Sequence, residues 1–356
     1  MARIVAFGEI MARLSPPGHE RFQQAMPGTI DVTFAGAEAS IAASIAYMGG
    51  DAAFVTALPQ HAIGDACIAN MKSMGIDTQH ILRTADGRLG IYFFEMGANQ
   101  RASQVIYDRD GSSVAMTTAD RYDWTGILRE AEWFIVSGIT PAISRNAAEV
   151  TRTAIAHANR LGVKVAVDMN YRSKLWQWSP PLKPRELATQ TMRALMPMVD
   201  LFIGGREDAV EMLGIPDIGS DPDSLHSIAK QIARQFPRMS LVAMTRREGL
   251  SANHNNFGGM LYQAANDEAC FAPLVDDRPG MYEIHNIVDR LGAGDAFTAG
   301  LIHALTASNL QSPASAVAFA TAAGCLAHAI EGDFNYVSAA EIEALMHGDS
   351  SGRVKR

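Results

Sequence analysis

Cysteine is scarce in this chain of 356 residues: Cys67, Cys270 and Cys325 stand alone. An odd count without a CxxC pair supports neither a disulfide framework nor a thiolate metal site, and a reducing cytoplasm is the expected compartment. A secretory apolar region is also lacking, because Gly8 and Glu9 interrupt the run at residues 4–7. The most apolar late stretch, residues 314–330, is alanine-rich and contains His328, which reads as a buried helix and not as a membrane span. There is no histidine pair at metal-ligand spacing, no GxxxxGK[ST] phosphate loop, no internal repeat and no low-complexity tract. Basic excess is absent too. The formal net charge of −8 argues against a nucleic-acid surface but leaves room for a small anionic ligand held by local charge.

What is present is an ordinary folded composition, 48% hydrophobic and 19% charged, long enough for one large α/β domain or two smaller ones. Residues 3–7 form a β-branched run that predicts a first central strand. A helical pattern follows at 35–48, closed by Gly49 and Gly50, then a strand at 52–58 and a helix at 61–74 closed by Gly75. Such alternation implies a parallel sheet covered by helices. Residues 14–33 are rich in proline, glycine and polar groups, with room for two short extended pieces. The segment 88–116 breaks the rhythm: GIYFFEMGAN and SQVIYDRDGS read as a hairpin, which with those pieces makes a small sheet standing off the main domain. Alternation then resumes, with strands at 133–137, 163–168, 200–203 and 240–245 and helices at 144–161, 186–196, 208–213 and 224–236. The division is therefore an α/β domain at 1–12, 35–87 and 117–347, a small β unit at 13–34 and 88–116, and a polar tail at 348–356. His254, in NHNN, is expected in a loop.

The most informative stretch is 284–303, IHNIVDRLGAGDAFTAGLIH. A short apolar run ends at Asp289 and Arg290, a glycine turn follows, and an apolar helix begins. Glycines let backbone approach a ligand, and the unpaired N–H groups of a helix start attract anions. Asp295 is either a stabilising first-turn charge or a group placed to take a proton as phosphate arrives. Phe297 occupies the third glycine position of the dinucleotide fingerprint, which removes that reading. Other clusters carry two readings each. The helix start at Gly36, Ala37 and Ser40 is close packing or a ligand contact. Tyr92, Arg101, Tyr107 and Arg109 lie on a solvated strand or face a ligand. Asp168-x-Asn170-Tyr171-Arg172 follows a strand at the end where parallel sheets place ligands. Thr245-Arg246-Arg247-x-Gly249 is a basic turn or a nucleotide contact.

Asp289-x-x-Gly292-Ala293-Gly294-Asp295 resembles the second signature of the ribokinase-like (PfkB) carbohydrate kinases. Residues 35–42 resemble their first, with Ala35 in place of a Gly and Ser40 in place of an Asn. YFFE, Y-x-R, D-x-N-Y-R-x-x-L-W and Gly332-Asp333 look like the sugar-acid branch of that family. At Gly204-Gly205-Arg206-Glu207-Asp208 the family's Asn is a Gly, a new Arg follows, and Asp208 keeps the acidic end. The resemblance implies a three-layer α/β/α domain with a β lid, and transfer of the γ-phosphoryl group of ATP to the 6-hydroxyl of 2-keto-3-deoxygluconate. It implies Asp295 as base, with the amides of Gly292, Ala293, Gly294 and Asp295 holding phosphate charge. Gly36, Ala37, Ser40, Tyr92, Tyr107, Arg109, Asn170, Arg172 and Asp333 would bind the sugar acid, Arg172 near its carboxylate. Thr245, Arg247, Gly249, Gly292 and Gly294 would face the nucleotide. Mg2+ would ride on ATP with Asp208 nearby, a monovalent cation is left open, and lid edges would pair in a homodimer or higher homo-oligomer. A fructokinase, a 5-keto-2-deoxygluconate kinase and a catalytically weak sugar-acid-binding protein remain the alternatives.

Overall fold

The run Arg3–Phe7 is buried on both sides, Val5 and Phe7 in one core and Ile4 and Ala6 in another. Burial on both faces is what a parallel strand needs between two helix layers. In the structure, a computed structural model describing residues 2–349, this strand pairs in parallel with Ala131–Ser137 and with Asp51–Pro59. The sheet continues past Asp51–Pro59 to Ile81–Thr84, and in the other direction through Lys164–Asp168, Leu201–Gly204 and Leu241–Ser251. The chain thus moves from Arg3–Phe7 first to one edge and later to the other. Between Arg3–Phe7 and Ala131–Ser137 lies the switch point where open α/β sheets leave a crevice at the strand C-termini.

Helices cover both faces. Arg145–Leu161, Pro184–Leu195, Arg206–Leu213 and Pro222–Gln235 bury Val150, Met192, Met212 and Ile228 in one core. Ala37–Tyr47, Ala62–Ser73, Ala293–Thr306 and Pro313–Ala327 bury Ile41, Met71, Phe297 and Phe319 in the other. No helix among the described residues is long and apolar enough to cross a membrane. The expected tail lies outside those residues from position 350 onward.

A separate four-stranded sheet runs in the order Asp31–Ala35, Met11–Ser15, Gly90–Glu95, Gln104–Asp108. Parallel pairing of Met11–Ser15 with Gly90–Glu95 joins two segments distant in sequence, and each outer strand adds antiparallel. The end of the second segment departs from strand: Ser113–Met116 is a helical turn whose Val114 enters the same core as Trp124. At the opposite end the sheet touches the main domain again. Ala252 N donates to Asn99 O at 2.7 Å, and Asn99 N donates to Asn253 Oδ1 at 3.3 Å.

Beyond the expected strand at 240–245 the structure adds antiparallel pairing. The strand continues to Ser251 and returns antiparallel as His254–Gln263, which pairs with Glu268–Ala272 and Tyr282–His285. His254 is therefore on a strand and not in a loop, with its ring 4.2 Å from that of His285. Asn255, Asn256, Gly258 and Gly259 disguise this strand, since Asn and Gly are poor strand formers. Tertiary packing explains one of them: a Cβ at Gly259 would lie 2.5 Å from Thr321 Oγ1 and 2.7 Å from the Phe297 ring.

Phe297 is fully buried and meets Phe257 edge-on at 6.3 Å. Phe297→Ala should cost about 3–5 kcal/mol in a urea titration, as truncations of buried aromatics do. Val288→Ala, at an exposed position, should stay within about 0.5 kcal/mol. Equal midpoints for the two variants would contradict this packing.

Candidate active site

Gly292 has φ 81 and caps the helix Ala293–Thr306. A Cβ there would also sit 2.5 Å from Asp333 O, so any other residue is both strained and obstructed. A Cβ at Gly294 would meet nothing within 4 Å, because that backbone faces open space. The amides of Ala293, Gly294 and Asp295 are the first-turn donors, which no intrahelical carbonyl can satisfy. The turn thus presents unpaired N–H groups beside open space, a geometry that an anion could occupy.

Asp295, on the third position of this helix, is buried. Burial pushes its carboxyl well above the usual range, Asp168, Asp333 and Glu38 add to the rise, and Arg172 opposes it. Asp168, at the end of its strand, is raised to about 7 by burial and by Asp208, while Thr298 donates to its Oδ2 at 3.1 Å. Asp208 accepts Tyr171 N at 3.2 Å and Gly205 N at 2.7 Å, so both its oxygens already hold backbone. Among the described residues no group of three His, Cys, Asp or Glu is arranged to hold a metal ion.

These groups line a cavity of about 860 Å³. Asn170, Arg172, Asp208, Thr245, Arg247, Gly249, Gly292, Gly294 and Asp295, all singled out by sequence, border it. Asn170 adopts φ 38, and its buried Oδ1 has no partner among the described residues. Arg172 is exposed, and among the described residues its guanidinium donates only to Tyr171 O, at 3.1 Å. Arg206, the residue new to this chain, borders the cavity but is ion-paired with Asp217.

The remaining sequence-predicted residues gather beneath the small sheet. Tyr92 donates to Asp333 Oδ1 at 2.7 Å, and its ring lies 6.4 Å from that of half-buried Tyr107. Arg109 is buried against Glu9, with Nε 2.7 Å from Oε2. Gly36 abuts the Glu9 carbonyl, where a Cβ would lie 2.1 Å away. Ala37 begins the neighbouring helix, and the buried Ser40 hydroxyl has no partner among the described residues. The two groups of residues meet at the glycine turn, where Gly292 touches Asp333.

Several site residues escaped the sequence reading. Arg13 donates to Asp289 Oδ2 at 2.6 Å and to Asp333 Oδ1 at 2.8 Å. Partners so distant in sequence leave no local pattern. Glu9 had a usable signal, since it follows the first central strand at the ligand-binding end. Glu38 is fully enclosed and accepts from Ser137 Oγ, Ser137 N and Thr140 Oγ1. It was hidden inside a run of small residues.

Comparisons with known proteins agree with this fold. Residues 1–258 match the model of the pfkB family carbohydrate kinases. A 2-dehydro-3-deoxygalactonokinase of Haloferax volcanii is 30% identical, over 99% of this chain and 98% of its own. The crystal structure of a 2-dehydro-3-deoxygluconokinase from Thermotoga maritima is 40% identical, with TM-score 0.88 and 98% of each chain covered. A putative ribokinase II of E. coli, solved with ATP and Mg2+, shares the fold at 18% identity, with TM-score 0.75 over 98% of this chain and 99% of its own. A mainly parallel sheet between helix layers, a small second sheet and an Asp-ended glycine turn are joined in one chain that belongs to the pfkB family of carbohydrate kinases.

Proposed function

We propose that this carbohydrate kinase transfers the γ-phosphoryl group of ATP to the 6-hydroxyl of 2-keto-3-deoxygluconate or its C4 epimer, 2-keto-3-deoxygalactonate. The observation that carries the sugar-acid reading is Arg172. Arg13 and Arg109 are neutralised by buried carboxylates, whereas Arg172 borders the cavity without one among the described residues and still acts on the charge of Asp295. A free guanidinium there suits the carboxylate of a sugar acid, which it can grip with two parallel bonds. The Haloferax volcanii and Thermotoga maritima relatives are named for 2-keto-3-deoxy sugar acids that differ in configuration at C4.

In this reading the sugar oxygen bonds to the γ-phosphorus as the bond to the β–γ bridging oxygen breaks, and ADP leaves. Asp295 accepts the hydroxyl proton, and the amides of Gly292 to Asp295 hold the charge on the transferring group. Little covalent work falls to the protein beyond positioning and electrostatics. Thr245, Arg247 and Gly249 face the nucleotide. Asp208 borders the cavity, but both its oxygens already accept from backbone amides, so Mg2+ would ride chiefly on the ATP phosphates with few ligands from the protein. When bound, Mg2+ would offset the charge of the ATP phosphates. Tyr92, Tyr107, Arg109, Ser40 and Asp333 form the sugar side, and the small sheet acts as a lid that excludes water. Its outer strands expose Val32 and Ile106, which favours edge pairing with a second copy.

Asp295 must be ionised to act as base, and its carboxyl titrates above the usual carboxylate range. Turnover should therefore rise with pH through a limb lying above that range. Asp295→Asn should reduce kcat by about 10²–10⁴ while both substrates still bind; a near-normal kcat would remove Asp295 from the mechanism. Asp168 is raised from 3.8 to about 7 in the fold. Its ionised form therefore opposes folding, and that penalty grows as pH rises through this window. Asp168→Asn should gain stability over wild type at pH 8 and lose the advantage below pH ~4, which thermal melts at the two pH values would read. Arg172→Met should lower kcat/KM for the sugar acid by about ten- to a hundredfold, the equivalent of one charged hydrogen bond, with little effect on a neutral ketose. Equal losses on both substrates would make Arg172 structural or phosphate-facing.

A further inference from the structure

Arg290, between Asp289 and Leu291 at the approach to the glycine turn, borders the cavity. It has no carboxylate partner among the described residues; its guanidinium donates instead to Asn255 Oδ1. Asn255 is completely buried. Its Nδ2 lies 3.4 Å from His328 Nε2, and His328 Nδ1 lies 2.8 Å from Gly324 O. A carbonyl can only accept, so Nδ1 carries the proton and Nε2 is left to accept from the Asn255 amide. That tautomer turns Asn255 Oδ1 toward Arg290. Burial, with the charges of Arg247 and Arg290, lowers His328 to about 4, so the ring is neutral. His328 also fixes the approach to the turn, since its carbonyl accepts Val288 N at 2.9 Å.

The outcome is a guanidinium held by a neutral acceptor. A carboxylate in that place would cancel its charge; the Asn255 carbonyl orients it and leaves the full positive charge available. The direction of that charge is visible at Gly249, where a Cβ would lie 3.7 Å from Arg290 Nη2. Arg290 thus stands on the wall that the kinase reading gives to the nucleotide, beside Arg247 and two residues before Gly292. A planar fork with unspent charge suits phosphate oxygens.

We propose that Arg290 holds the polyphosphate of the nucleotide at the entrance to the glycine turn, and that Asn255 and His328 are positioning residues acting through it. The proposal rests on the kinase reading but is tested by binding alone. ATP, AMP and 2-keto-3-deoxygluconate are titrated calorimetrically into the full chain, with Mg2+ present. Arg290→Gln should weaken ATP by about ten- to a hundredfold, the loss of one charged hydrogen bond, and leave AMP and the sugar acid within about threefold. Arg290→Lys, which keeps the charge, should recover part of the ATP affinity and guards against a folding defect in the first variant. Asn255→Asp is nearly isosteric and would ion-pair Arg290, so ATP should weaken without loss of melting temperature. The double variant Asn255→Asp/Arg290→Gln should bind ATP no worse than Arg290→Gln alone. Wild-type ATP affinity in both Arg290 variants, or a loss confined to the sugar acid, overturns the assignment. Additive losses in the double variant overturn the positioning role. If wild type binds no ATP, the nucleotide reading and this proposal fall together, whereas ATP binding without sugar-acid binding would count only against the substrate.

Discussion

The arrangement depends on one buried cation. Arg13 extends from the small sheet with its side chain 3% exposed, and it bridges Asp289 at 0% and Asp333 at 13%. Its guanidinium also lies over the Phe94 ring, 4.4 Å from the centroid. Asp289 is further engaged by Leu291 N at 3.0 Å and Gly332 N at 3.2 Å, and Asp333 by Tyr92. One side chain thereby fastens the small sheet, the approach to the glycine turn and the loop after the helix Pro313–Ala327. Removing one partner of such a pair typically costs about 3–5 kcal/mol, because the other charge stays buried. Its value here is positional: the residues beneath the small sheet and those around the cavity are held together across Gly292.

The arginines fall into two groups. Arg13 and Arg109 are committed to carboxylates and build the small sheet's contact with the main domain. Arg172, Arg247 and Arg290 border the cavity with no carboxylate partner among the described residues and share its lining with the acidic groups Asp168, Asp208 and Asp295. Burial, reinforced by neighbouring carboxylates, makes Asp168 and Asp295 hold protons more tightly than isolated carboxyls do. The free arginines are available to anions. In the proposed reaction, binding a polyphosphate and accepting a proton would draw on both conditions, and neither group alone would provide them.

Much of this was legible in sequence because its signals are local. The strand–glycine–helix order at 284–303 pointed to the turn, the α/β alternation to the main sheet, and the break at 88–116 to the hairpin Gly90–Glu95 and Gln104–Asp108. Hidden features depend on contacts far apart in the chain. The strand His254–Gln263 looks like a polar loop until Phe297 and Thr321 are seen to leave no room for side chains at Gly259. Arg13 and Asp333 are 320 residues apart. Arg109 read as a ligand contact from its motif, and only the fold shows that Glu9 already holds it.

The central claim is that a free guanidinium beside an Asp-ended glycine turn makes this pfkB-family protein a kinase of sugar acids. The most direct measurement is coupled ADP release from the wild-type protein with MgATP. The acceptors would be 2-keto-3-deoxygluconate, 2-keto-3-deoxygalactonate and neutral ketoses such as fructose. The account predicts ADP release that depends on sugar, with kcat/KM for one of the acids at least about tenfold above that for any ketose, the discrimination expected from one charged hydrogen bond. Equal use of fructose, or ADP release that no sugar acid stimulates, would contradict it.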